Sequence, residues 1–113
     1  MGSVVVVSES SPADLAVAFR SFPRRLHEAL GSLSPDARPR AQVHVDAIGH
    51  DLASAASALR LPGTGEQAAV AGAIAAAIDA TKPSAWDDAT LAALRRHALG
   101  IGAALRSIGD LAA

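Results

Sequence analysis

The sequence predicts an all-α protein: an up-and-down four-helix bundle preceded by a short extended N-terminal segment. Apolar residues recur at intervals of three and four along most of the chain, the period of an amphipathic helix. Helix start signals precede these runs, and β-branched residues form a strand-like run only near the N-terminus. We therefore expect an extended segment at 1–10 and one helical domain at 11–113.

The first helix is expected to begin at Ser11-Pro12, where Ser11 is a good N-cap and proline suits the first helical position. Pro23 falls inside the helix and removes one backbone hydrogen bond. A kinked helix and two short helices in series both fit, and the unbroken phase of the apolar stripe favours the kink. The stripe consists of Leu15, Phe19, Phe22, Leu26, Leu30 and Leu33.

The second helix follows the start signal Ser34-Pro35-Asp36, with Pro39 expected to delay its regular part to about Arg40. The third helix is expected at about 65–81, with Thr64 and Gln67 as a capping box. The heptad seam of the second helix is Ala41, Val45, Ile48, Leu52, Ala55 and Leu59, and the third helix has only Val70, Ile74 and Ile78 as large residues.

The last helix starts at Pro83 or Asp88. Gly100 and Gly102 lie in its interior, where each is about 1 kcal/mol less favourable than Ala. Because such a glycine often admits close approach of another element, we expect a groove for another helix between Ala98 and Ala104. The seam consists of Leu91, Leu94, Ala98, Ile101, Leu105, Ile108 and Ala112.

Composition limits the classes of function. The 113 residues have a net charge of −1 and no cysteine, so we expect no nucleic-acid or membrane-surface partner and no disulfide or thiolate metal site. Charged residues interrupt the Ala-rich stretches before they reach the roughly 20 apolar residues of a membrane span. A cytoplasmic protein is expected, and the predominance of Arg over Lys suggests a GC-rich bacterial genome.

No cluster of ionisable residues has the spacing of a catalytic or metal site, so we expect no catalytic residue, no metal and no cofactor. His44 and His50 are six residues apart, which directs their rings about 120° from each other on a helix. Asp46 and His50 share a face, which is interpreted as solvated. The adjacent carboxylates Asp87-Asp88 complement the dipole at a helix N-terminus.

His97 lies beside the seam of the last helix. A general base needs an orienting acid and a concave pocket, and the sequence indicates neither. A second interpretation of the protein nevertheless uses this region: a bundle that binds an anionic small molecule between its helices. The candidate ligand-binding residues are Arg24, Arg25, Arg95, Arg96 and His97.

The valines at 4–7 have a strong β preference, and a strand must pair its backbone groups or leave them in water. Three alternatives remain for this segment: pairing with a second copy across a two-fold axis, addition to the sheet of another protein, or an unpaired segment that frays or lies along the bundle.

Trp86 either seals one end of the bundle or lies at an interface.

The chain is rich in Ala and has only 2 Phe and 1 Trp, so it buries little apolar area per residue. Burial against a second copy would add to its stability. We therefore expect a non-catalytic protein-interaction or regulatory module that acts as a homodimer and has a possible further protein partner. The predicted partner-binding residues are Val4, Val5, Val6, Val7, Trp86, Gly100 and Gly102.

Overall fold

A computed structural model of the protein describes residues 11–112. The described chain is all-α with four helices and contains no strand, which confirms the predicted all-α, four-helix arrangement. The predicted extended segment at 1–10 lies outside the described residues. The elements are α1 (Pro12–Gly31), α2 (Arg38–Ala58), α3 (Gln67–Ala80) and α4 (Asp88–Leu111), with a 3₁₀ turn at Pro83–Ala85 before α4.

The two most extensive helix contacts are those of α2 with α4 and of α1 with α3. The α1–α4 and α2–α3 contacts are smaller, and they complete the packing of the bundle. Helices that follow each other directly in the sequence are therefore not the closest partners in space. As a consequence, α1 and α2 have little direct contact along their lengths.

The core is continuous and takes side chains from all four helices. Phe19 is fully buried, and its ring meets that of Phe22 edge to face, with 5.4 Å between centroids. Most predicted seam positions are buried or packed against the core. The largest fully buried side chains are Phe19, Leu15, Ile48, Ile74, Leu94, Ile101 and Ile108.

The first helix has the predicted start and no break at Pro23. Ser11 and Asp14 form a reciprocal capping box, with the Asp14 backbone N–H donating to Ser11 Oγ at 3.2 Å. The helix continues through Pro23 to Gly31, so the alternative of two short helices in series is wrong. The apolar stripe on both sides of the proline packs on one core, which outweighs the loss of one backbone hydrogen bond.

The boundaries of α2 and α3 differ from the predicted ones. Pro39 lies in the first turn of α2, where no backbone N–H is required, so the helix begins at Arg38 rather than near Arg40. The predicted capping box of Thr64 and Gln67 is wrong, because the N-cap of α3 is Glu66 and makes no side-chain cap bond. The Gln67 amide instead donates from Nε2 to the backbone oxygen of Val45 at 3.0 Å.

The fourth helix begins at Asp88, the later of its two predicted starts. Its N-cap is Asp87, whose carboxylate accepts from the backbone N–H of Ala89 at 2.7 Å and of Thr90 at 3.2 Å. These backbone bonds, that of Thr90 first, and the Thr90 hydroxyl hold the pKa of Asp87 below its ordinary value.

We expect Asp87→Asn to retain the cap but to remove part of the pH dependence of stability. A lowered pKa in the folded state means that the charge stabilises the fold above the unfolded pKa, about 3.9, and that this contribution is lost as the pH falls through the folded pKa. Urea midpoints should show the wild type gaining over D87N between acidic and neutral pH. D87A, which also loses the cap, should be the least stable at neutral pH. Parallel pH profiles of the wild type and D87N would contradict this role.

Candidate functional site

A polar contact between α2 and α4 joins two ionisable side chains. Asp51 Oδ1 lies 3.0 Å from His97 Nδ1, and the two side chains are only 23 % and 16 % exposed, respectively. Asp51 thus supplies the orienting acid that the sequence did not indicate for His97. The two residues are 46 positions apart, so no local spacing could have revealed the pair.

Gly100 makes room for this pair. A Cβ at Gly100 would lie 2.6 Å from Asp51 Oδ2, closer than such a carbon can approach. The expected close approach at Gly100 is therefore made by α2 of the same chain. Ala98 and Ala104, which were predicted to border a groove for another helix, are buried inside the bundle. At Gly102 an added Cβ would meet nothing nearer than the end of Arg106, at 3.9 Å.

The Asp51–His97 pair resembles the orienting half of an acid–base site, in which a carboxylate fixes an imidazole. Covalent catalysis would also need a hydroxyl or thiol in hydrogen-bond contact with the ring. The described residues place no such group there. The pair has a structural explanation instead: the Asp51–His97 contact joins α2 to α4, and the absence of a side chain at Gly100 leaves space for it.

The structure does not bring together the five residues proposed to bind an anion. Arg25 lies on α1 over the ring of Phe22, 5.9 Å from its centroid, and borders a surface depression with Glu28. A separate depression on α4 contains the other arginine pair, Arg95 and Arg96. His97 faces Asp51, and Arg24 is exposed on α1.

Trp86 is half-buried and packs against the core at the end where α1 begins and α3 ends. It borders a depression with Pro12 and Ile78. This packing agrees with the interpretation that Trp86 seals one end of the bundle. Part of the Trp86 side chain stays exposed, and its contact with a partner remains a prediction. The valines at 4–7 lie outside the described residues.

The outer surface of α3 is uncharged from the start of the helix to Ile78. No charged side chain occurs between Gln67 and Asp79, and apolar residues cover every side of the helix in this stretch. A Cβ at Gly72 would meet nothing within 4 Å, so this surface is open. We name it the α3 face and define it by its exposed residues Ala69, Gly72, Ala73, Ala76 and Ala80.

One edge of the α3 face is formed by an ion pair with α1. Arg20 Nη2 donates to Asp79 Oδ2 across the α1–α3 contact. Val17 lies one turn before Arg20 on the same side of α1 and is 63 % exposed. An exposed valine therefore lies on α1 one helical turn from the ion pair that joins α1 to α3.

Within residues 11–112, no group of three or more His, Asp or Glu side chains is placed to hold a metal ion. In the same part of the chain, no helix has both the length and the apolar composition needed to cross a membrane. No protein-family model, curated protein or solved structure matches this chain.

Substitution of Gly100 and of Gly102 in α4 should separate the effect of close packing from that of helix propensity. We expect Gly102→Ala to stabilise the protein by up to about 1 kcal/mol, because its Cβ enters open space. Gly100→Ala should gain about 1 kcal/mol less, since its Cβ displaces Asp51 from His97 and weakens one hydrogen bond. Urea unfolding of both variants measures the difference.

The matched control is the same pair of substitutions in an Asp51→Ala background. Without the carboxylate, Gly100→Ala should stabilise about as much as Gly102→Ala, which a double-mutant cycle would show as a coupling free energy between positions 51 and 100. Equal effects of the two glycine substitutions in the wild-type background would contradict the proposed packing.

Proposed function

We propose that the protein is a non-catalytic helical interaction module that acts as a homodimer, with the α3 face as the surface of self-contact. The observation that carries this proposal is the uncharged outer surface of α3. A cytoplasmic location, a bacterial source and the absence of a nucleic-acid partner remain predictions from composition.

A helix that is apolar on every side is usually enclosed by other elements. The inner side of α3 packs on α1 and, less extensively, on α2, with Val70, Ile74 and Ile78 buried. Its outer side is exposed in the single chain. Contact with a second copy would remove this apolar surface from water, at roughly 25 cal/mol per Å².

The α3 face is suited to contact with itself. In a two-fold symmetric dimer the same patch meets its own copy, so any charge near the axis would face a like charge. The α3 face has none, and the nearest charges, Arg20 and Asp79, neutralise each other at its edge. Its small side chains allow two helix axes to approach to the lower end of the usual 8–10 Å range.

Val17 is a large exposed side chain on α1, one helical turn from Arg20 of the ion pair at the edge of the α3 face. In the proposed symmetric pair, the valine of each copy packs against the small residues of the other. The dimer proposal also retains the predicted pairing of the N-terminal valines as a second and separate contact. Gly100 is not assigned to the interface, because the space above it is occupied by Asp51.

We expect Ala76→Arg to convert the dimer to a monomer without unfolding it. Ala76 is exposed in the centre of the α3 face, and both Ala and Arg favour helix, so the fold should tolerate the change. In a two-fold dimer the substitution places two positive charges close together in a desolvated contact. Light scattering gives the mass, and circular dichroism gives the helix content.

Ala47→Arg is the matched control, because Ala47 is also an exposed alanine but lies on α2 rather than on α3. This variant should remain a dimer. A monomeric wild type, or an A76R variant that stays dimeric, would contradict the proposal.

Removal of residues 1–8 tests the other predicted contact in the same measurement. We expect the shortened chain to remain dimeric through the α3 face, with a larger dissociation constant if the valines also pair. A shortened chain that is fully monomeric, together with a dimeric A76R, would assign self-association to the N-terminal segment instead.

A further inference from the structure

An apolar cavity opens between α1, α2 and α4, with the first turn of α3 at its edge. Its volume is about 220 Å³, and its apolar lining includes Phe22, Leu26, Ile48, Ile101 and Leu105. An apolar cavity of about 150 Å³ in a protein core can bind benzene. This cavity is therefore large enough for an aromatic ring or a short acyl chain.

A second depression of about 360 Å³ adjoins this cavity, and His27 and Leu30 line both. Arg38 and Gln42 line its far side. The Arg38 and His27 side chains are exposed and form no hydrogen bond or ion pair with other described residues. Neither depression has an acidic lining residue. The Gln42 amide donates to Asp46, one turn further along α2.

The cavity has a physical origin in the helix pairing. Because α1 packs on α3 and α4 rather than on α2, a gap remains between α1 and α2. Gln67 borders this gap, and its amide is anchored to the Val45 backbone oxygen. The anchor needs Gly49, where a Cβ would lie 2.9 Å from Gln67 Nε2. This hydrogen bond thus fixes the Gln67 side chain at the border of the cavity.

We propose that the two depressions form one binding site for a small amphipathic carboxylate. The hydrocarbon part occupies the cavity beside Phe22 and Ile101, and the carboxylate lies at the rim near Arg38 and His27. The planar guanidinium of an arginine suits a carboxylate, because it can donate two parallel hydrogen bonds. Apolar walls with a few polar groups at one end are typical of small-molecule sites. This site uses residues other than the α3 face and does not depend on dimer formation.

Octanoate is the probe for this site, titrated by calorimetry into the full chain. Saturable one-to-one binding per chain is expected. Octanol, which has the chain but not the charge, should bind at least about tenfold more weakly, and acetate, which has the charge but not the chain, should show no measurable binding. Absence of saturable octanoate binding, or equal affinity for octanol, would overturn the proposal.

Two variants test the two ends of the site separately. Arg38→Ala should weaken octanoate about tenfold and leave octanol unchanged, since only the charged contact is lost. Ala68→Trp should weaken both, because Ala68 lines the cavity and a large ring there would fill it. Ala47→Trp, on the exposed outer side of α2, is the matched control and should bind as the wild type does.

Arg38 is the exposed first residue of α2, so its substitution leaves the core intact and the test holds even if Ala68→Trp fails to fold. Unchanged octanoate affinity in R38A would overturn the placement of the carboxylate. Unchanged affinity of a folded A68W would overturn the placement of the hydrocarbon.

Discussion

The contact between α2 and α4 is the constraint on which the rest of the structure depends. It is one of the two most extensive helix pairs, and it places Asp51 over Gly100 and against His97. A Cβ at position 100 would displace the Asp51 carboxylate from His97, so the glycine permits this contact between the two helices. Because α2 packs mainly on α4 and α1 packs mainly on α3, a gap remains between α1 and α2.

The small side chains that make this packing possible also leave surfaces unfilled. Alanine contributes little apolar area, so the core depends on a limited set of large residues such as Phe19, Ile74 and Ile101. The same composition leaves the outer side of α3 flat and uncharged. The two proposed sites meet on α3, where Ala68 lines the cavity and Ala69 belongs to the α3 face, directed about 100° apart.

Local sequence patterns predicted much of the fold. Heptad seams marked the buried positions of α2 and α4, and the cap at Ser11 and the start at Asp88 follow from known preferences. Two local interpretations were wrong: Pro39 was expected to delay the start of α2, and Gln67 was assigned to a capping box with Thr64. The proline fits within the first turn of α2, and Gln67 bonds to Val45, which lies on another helix.

The sequence by itself determined the all-α class, the number of helices between residues 11 and 112, and which side of most helices faces the core, because these depend on the 3.6-residue period and on local caps. Only the tertiary structure decided the pairing of α2 with α4, the partner of His97 and the cavity between α1 and α2. In a core of alanine and aliphatic residues, the apolar seam of one helix can pack against the seam of any of the others. The choice among pairings therefore depends on long-range contacts, such as Asp51 with Gly100, that no local spacing encodes.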